Sequence, residues 1–215
     1  MSTQTVLQGD CLEVMKTFPD KSFDLVLTDP PYGVNLGYNA KNQKSLPTNR
    51  KYDIYEDTQE NLEKLVAAFM PEALRIGKRV ALTPGVKNMW LYPKPDHVGS
   101  FFYPAASGCN RWGFSCWQPI FYYGVDPYLG RSRPDSTRSV EQTVQNGHPC
   151  PKPIEQMRWL VNRTSLEGDT ILDPFMGSGT TLVAAKYLNR NATGIDISEK
   201  YCEIARNRLS QQQLF

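Results

Sequence analysis

The segment Asp29-Pro30-Pro31-Tyr32-Gly33 joins a carboxylate, two donor-free backbone positions and an aromatic ring. The prolines fix the backbone and carry no N–H, which leaves the Pro30 carbonyl free to accept. An aspartate beside a rigid carbonyl makes a site for an amino group with two N–H donors. Tyr32 adds a face on which a planar ring can stack. A plain Asp-Pro turn is the simpler reading. It loses ground because the segment follows Phe23–Thr28, an apolar run that reads as a strand buried on both faces.

A second segment, Asp173-Pro174-Phe175-Met176-Gly177-Ser178-Gly179-Thr180, lies where a strand should end and a helix begin. Its glycines let backbone pass close to a ligand, and the helix start offers unpaired N–H groups. No GK[ST] follows, so this is not a P-loop, and the third glycine of a dinucleotide fingerprint is missing. Alone, the glycine pair is as readily a tight turn. Asp196 shifts the balance, because it ends the next strand, where an acidic side chain accepts hydrogen bonds from ribose hydroxyls. A helix-start carboxylate facing the dipole is the alternative for Asp196. Together the two features favour an adenosine-containing cofactor with no bound pyrophosphate.

Both segments need strands to hold them. The spacing predicts strands at Thr5–Gln8, Phe23–Thr28, Arg79–Thr83, Thr170–Asp173 and Ala192–Ile195. It predicts helices over Cys11–Phe18, Thr58–Ile76 (with Pro71 able to bend it), Pro153–Thr164, Thr180–Leu188 and Ser198–Leu209, the last with Ser198 as N-cap. Alternation of this kind implies a doubly wound α/β sheet whose ligands bind at strand carboxyl ends.

Composition narrows the classes further. The 215 residues are 40% hydrophobic and 21% charged, too apolar for a disordered chain. No run approaches the roughly 20 apolar residues that cross a bilayer, and the N-terminus lacks a secretory pattern. Five cysteines without a CxxC pair argue against a disulfide framework or zinc ribbon and for a reducing cytoplasm. Two histidines argue against a histidine-built metal site. The net charge is only +2, yet residues 73–140 hold nine lysines and arginines against three acids. This stretch also holds twelve of the 24 aromatics and is broken by prolines. One-signed charge gathered on one region suits a polyanion, and Arg131, Arg133 and Arg138, with Lys41, Lys44, Arg50 and Lys51, are the expected DNA contacts. The plainer alternative is a solvated region with a small aromatic core of its own.

TDPPYG at 28–33 and LDPFMGSGTT at 172–181 resemble motifs IV and I of the S-adenosylmethionine-dependent DNA amino-methyltransferases, which methylate adenine N6 or cytosine N4. Gly9-Asp10-Cys11 resembles the motif III element near the cofactor's adenine. Gly194-Ile195-Asp196, with Tyr201, Ala205 and Arg208-Leu209, resembles motif II and its helix. His148-Pro149 and Lys152-Pro153 resemble motif X, and Trp117-Gln118-Pro119-Ile120 resembles the strand before the family's terminal hairpin. The catalytic motif precedes the cofactor motif, as in the β-class permutation. Glutamine-methylating and ribosomal relatives place a similar NPPY after the cofactor loop and fit less well.

The resemblance implies a circularly permuted Rossmann-like α/β fold, a doubly wound, mostly parallel sheet with an inserted target-recognition region. Residues 1–85 would be the catalytic half, 86–147 the recognition insert plus terminal hairpin, and 148–215 the cofactor half. It implies S-adenosyl-L-methionine as cofactor and no metal. Asp29, Pro30, Pro31 and Tyr32 would be catalytic. Asp10, Cys11, Asp29, Lys152, Asp173, Phe175, Gly177, Ser178, Gly179, Thr180, Asp196 and Ile197 would bind the cofactor. Double-stranded DNA is the implied partner, with a homodimer or accessory specificity partner, in a cytoplasmic protein of bacterial, archaeal or phage origin. The family more often has Ser in place of Asp29 for cytosine, so adenine is favoured. The alternatives are cytosine-N4 methylation, a relative that has lost catalysis, and methylation of RNA or protein. Cys150, next to Pro149, resembles a cytosine-C5 nucleophile, but its place in HPCPKP argues against that role.

Overall fold

The computed structural model of the protein describes residues 2–34, 55–104, 108–139 and 152–211. The first block runs β1 (Gln4–Gln8), α1 (Cys11–Lys16), β2 (Leu25–Thr28), α2 (Gln59–Ile76) and β3 (Val80–Leu82). The middle gives β4 (His97–Phe102), a small hairpin of β5 (Gly108–Asn110) and β6 (Gly113–Ser115), then β7 (Trp117–Tyr123) and β8 (Thr137–Arg138). The last block is α3 (Ile154–Thr164), β9 (Thr170–Asp173), α4 (Thr180–Tyr187), β10 (Asn191–Asp196) and α5 (Glu199–Ser210).

Eight strands form one sheet in the order β1-β10-β9-β2-β3-β7-β4-β8. The first five run parallel, and β7 is antiparallel to both β3 and β4. The two blocks meet at β2 and β9, where Leu25 faces Ile171 and Val26 faces Leu172. From that seam the chain winds one way through β10 and the other way through β3. Ligands on open α/β sheets bind at such a switch point.

Alternate residues of each strand feed opposite faces of the sheet. Val26 and Leu172 pack with Leu62, Val66, Phe69 and Ala73 of α2. Their neighbours Leu25, Leu27 and Ile171 pack with Leu160 of α3, Leu182 of α4 and Ala205 of α5. Both faces are covered, which is why β2 and β9 are apolar throughout rather than alternating.

The elements depart from the sequence reading in small, explicable ways. Helix α1 stops at Lys16 because Thr17 turns its hydroxyl back on the Val14 carbonyl, 2.7 Å away, just before Pro19. Strand β2 starts at Leu25, with Phe23 making only a bridge to Gly77. Pro71 sits inside α2 without ending it. Both Pro71 and Ala67, whose carbonyl its N–H would have met, are exposed, so water replaces the lost bond. The aromatics of the middle stretch do not form a separate core: Phe101 joins α3 and α4, while Tyr92, Phe121 and Tyr123 join α2.

Candidate active site

Strand β2 ends at Thr28 and delivers Asp29–Tyr32 to the switch point. The following loop is fixed by Asp57, a buried carboxylate that accepts the Gly33 N–H at 2.7 Å and the Val34 N–H at 3.2 Å. Gly33 takes the left-handed conformation (φ 63°) that this turn needs. Asn88 closes the loop from the other side, donating to the Tyr32 carbonyl at 2.6 Å.

Three side chains then converge on Asp29, and a fourth on Tyr32. The hydroxyls of Tyr32 and Thr83 both donate to Asp29 Oδ1 in short hydrogen bonds. The Lys152 ammonium lies 3.1 Å from the same oxygen and 3.1 Å from the Tyr32 hydroxyl. Gln118 Nε2, on β7, donates to the Tyr32 hydroxyl at 2.5 Å. Among the described residues these bonds all go to Oδ1, which leaves Oδ2 to accept from a ligand. Burial opposes the charge on Lys152, but the Asp29 carboxylate beside it outweighs burial and keeps the ammonium protonated well above its ordinary range. Burial, reinforced by Asp29, likewise raises the Tyr32 phenol.

Lys152 thus stands on the Asp29 carboxylate, whereas the resemblance implies a contact with the cofactor. Replacing it separates the two roles. If the site transfers a methyl group as the resemblance implies, Lys152→Met should slow that transfer by about 10²-fold, because a carboxylate that has lost its positioning partner misorients the reactants. Binding of S-adenosylhomocysteine should not change. A loss of cofactor affinity equal to the loss in rate would return Lys152 to the cofactor.

The second segment is built around Asp196. Its Oδ2 accepts the Gly177 N–H at 3.1 Å and its Oδ1 the Ser198 N–H at 2.8 Å. Burial raises its pKa, and those two backbone donors oppose the rise. Each oxygen keeps a further lone pair. Gly179 starts α4 in the left-handed region (φ 77°), and a Cβ there would lie 2.8 Å from Ala205 Cβ. Only glycine lets α4 approach α5 so closely. Arg208 bonds the Ser178 carbonyl at 2.6 Å and Thr180 Oγ1 at 3.1 Å, which fixes the loop from below. Phe175 packs edge-on to Phe69 at 5.1 Å, and Ile197 leaves 42% of its surface exposed beside Asp196. Asp10 caps α1 through the Leu12 N–H at 2.8 Å, and burial pushes the Cys11 thiol up to about 12. Cys11 is partly buried against the core at the start of α1.

Asp173 has a different place from the one expected of a ligand contact. It is buried, and it accepts the Thr28 hydroxyl at 2.6 Å and the Phe175 N–H at 3.1 Å. It ties β9 to β2, and so the Asp173–Thr180 loop to the Asp29–Tyr32 turn. Burial lifts its pKa to about 6, against the hydrogen bonds from Thr181 and Thr28. The folded value lies above the unfolded one, so its stabilising contribution is complete at low pH and is lost as pH rises to about 6. Thermal unfolding of Asp173→Asn should therefore show a flatter pH dependence than the wild type between about pH 4 and 6. Identical profiles would show that Asp173 does not titrate in that window.

The expected DNA contacts divide. Lys41, Lys44, Arg50 and Lys51 lie outside the described residues, as do His148, Pro149 and Cys150. Arg138, exposed on β8, pairs in register with Phe102 at the edge where Trp117 starts β7, the edge of Gln118 and Tyr32. Arg131 and Arg133 belong to the loop after β7, whose last residue Tyr123 faces Val80 at the start of β3. Arg133 stacks on Tyr128 at 3.7 Å, and Tyr128 bonds Ser165, just past α3. These two arginines therefore sit at the opposite edge of the sheet from Asp29. Thr83, Asn88, Asp57 and Gln118 are site residues the sequence reading did not single out. Thr83 follows β3 as Asp29 follows β2, a signal the strand-end rule could have used.

A family model described as DNA methylase, of N6/N4 methyltransferases, matches residues 83–207. The chain belongs to this DNA methylase family. Its motif order is that of the β-class amino-methyltransferases, and its fold is their permuted Rossmann-like α/β sheet. Type II methyltransferase M.HinfI of Haemophilus influenzae is 26% identical, the match covering 96% of this chain and 68% of that protein. Type II methyltransferase M.HpaI of Haemophilus parainfluenzae is also 26% identical, covering 97% and 75%. Two solved structures share the fold. The M1.HpyAVI–SAM complex has a TM-score of 0.67 at 18% identity, with 97% of this chain and all of that one covered. The cytosine-N4-specific PvuII DNA methyltransferase has a TM-score of 0.69 at 15% identity, covering 100% and 89%. Among the described residues no helix is long and apolar enough to cross a membrane, and no group of three His, Cys, Asp or Glu could hold a metal ion.

Proposed function

We propose that this DNA methylase transfers a methyl group from S-adenosyl-L-methionine to the exocyclic N6 of an adenine flipped out of duplex DNA. The observation that carries this reading is the juxtaposition at the β2–β9 seam. The Asp29–Tyr32 turn and the Asp173–Thr180 loop leave neighbouring strand ends, joined by the Thr28–Asp173 bond of 2.6 Å. The cofactor suits the residues present. Asp196 keeps lone pairs for ribose hydroxyls, the one side chain of the Gly177–Gly179 turn, Ser178, is buried, and Ile197 offers an apolar face to a purine. The cofactor supplies an electrophilic methyl group on a sulfonium.

The remaining work falls to this chain. Adenine N6 is a poor nucleophile because its lone pair is delocalised into the ring. Asp29 Oδ2 and the Pro30 carbonyl each accept one amino hydrogen and draw the nitrogen toward tetrahedral geometry. Lys152 and Thr83 hold the carboxylate in place through Oδ1. Tyr32, its loop anchored by Asn88, stacks on the flipped ring. As the N–C bond to the methyl group forms, the C–S bond would break to leave neutral S-adenosylhomocysteine, and the surplus amino proton would pass by way of Asp29 to water. Flipping costs a few kcal/mol, and the gain comes from positioning and fixed acceptors.

Asp rather than Ser at position 29 favours adenine over cytosine N4. The division into a catalytic half (1–85), an insert with the terminal hairpin (86–147) and a cofactor half (148–215) belongs to the same proposal. So does a homodimer or an accessory partner, since one short insert offers few side chains to read several base pairs. We place the protein in the cytoplasm of a bacterium, archaeon or phage-infected cell, in a restriction-modification setting like that of the type II relatives. Incubation with methyl-labelled cofactor and duplex DNA, RNA or protein tests the substrate class. Label in duplex DNA is the expected result, and label confined to RNA or protein would overturn it.

A further inference from the structure

A line of hydrogen bonds links α3 to the Asp29 carboxylate. Gln156 on α3 is 5% exposed, and its Nε2 donates to the Tyr103 hydroxyl at 2.5 Å. Tyr103, just past the end of β4, donates to Gln118 Oε1 at 2.9 Å. Gln118 on β7 donates from Nε2 to the Tyr32 hydroxyl, and Tyr32 donates to Asp29 Oδ1. Backbone holds the middle of this line: the Tyr103 N–H bonds the Cys116 carbonyl at 2.7 Å, and Phe101 pairs in register with Gln118.

Every link points the same way. Tyr32 accepts from Gln118 and from Lys152, which fills both lone pairs of the hydroxyl, so its one proton goes to Asp29. Gln118 spends both ends of its amide, Oε1 on Tyr103 and Nε2 on Tyr32. Burial raises both phenols, so Tyr103 and Tyr32 stay protonated as donors. Bonds aligned head to tail inside a protein polarise and strengthen one another. They also fix the Tyr32 ring, which lies so close to Gly85 that a Cβ there would stand 3.0 Å from Cδ1.

Stability does not explain Gln156. Its Oε1 is buried and, among the described residues, meets no partner. A buried unpaired oxygen costs stability, and an apolar side chain of similar shape would not. What the amide supplies is its bond to Tyr103.

We infer that Gln156, Tyr103 and Gln118 are positioning residues: the relay of bonds they form orients the Tyr32 ring and turns Asp29 so that Oδ2 faces the reacting amino group. This rests on the methyl-transfer reading above.

The test is single-turnover methylation of duplex DNA by the full-length protein, with melting temperature and S-adenosylhomocysteine affinity read on the same samples. Gln118→Leu should slow methyl transfer by about tenfold, the scale of one lost hydrogen bond. Tyr103→Phe and Gln156→Leu should slow it by less. Affinity for the cofactor product should not change in any of them, and Gln156→Leu should melt no lower than wild type. Gln118→Leu combined with Gln156→Leu should be no slower than Gln118→Leu alone, because the inner break already disconnects the outer residue. In a Tyr32→Phe background, which keeps the ring and lacks the hydroxyl, Gln118→Leu should cost nothing further. Losses that multiply in these doubles, wild-type rates in all three single variants, or a rate loss matched by a fall in melting temperature would overturn the relay. Duplex DNA left unmethylated by the wild type would overturn the underlying reading and the relay together.

Discussion

Asp29→Asn will abolish methyl transfer, by roughly 10³-fold, and leave S-adenosylhomocysteine binding close to wild type; loss of one preorganised acceptor in a dry site has this scale. Asparagine preserves the shape of the side chain but presents an N–H₂ where a second acceptor is needed, and it removes the charge that holds Lys152 3.1 Å away. Asp29→Ala should show the same loss of rate. It also leaves the Lys152 ammonium with neither charge nor acceptor, which destabilises the fold. The asparagine variant is the cleaner probe because it keeps an amide oxygen for that ammonium. Calorimetry with the cofactor product separates the outcomes. An equal loss of rate and of cofactor affinity would make Asp29 structural.

Asp196→Ala should act the other way, on binding before chemistry. It strands the Gly177 and Ser198 N–H groups and removes the acceptor for ribose hydroxyls. Unpaired buried polar groups cost about 1–3 kcal/mol each, so cofactor affinity should fall by roughly 10- to 100-fold. At saturating cofactor the remaining rate should recover in large part, since the Asp29 network is untouched. Unchanged affinity would remove Asp196 from the cofactor site.

Much of this architecture was legible in the residues because the signals were local. The FDLVLT and TILD runs announce buried parallel strands, and the Asp29 and Asp173 turns stand at their ends. The strand order that brings these two turns together cannot be read from either turn. It depends on β2 pairing with β9 across more than half the chain. The same non-locality hid Lys152, which sits beside a cofactor-like motif in sequence but beside Asp29 in space. It also hid Gln118, whose role exists only because β7 runs antiparallel to β3. The arginines show the limit of composition. Arg131, Arg133 and Arg138 form one cluster in the sequence, but the turn of the chain after β7 sends two of them to the edge away from the site.

The central claim is that the Asp29 site methylates adenine N6. Its most direct test is to treat unmodified duplex DNA with wild type and Asp29→Asn, digest it to nucleosides and separate the products by mass spectrometry. The account predicts N6-methyladenine from the wild type and neither methylated nucleoside from the variant. N4-methylcytosine as the wild-type product, or N6-methyladenine at wild-type yield from Asp29→Asn, would contradict it.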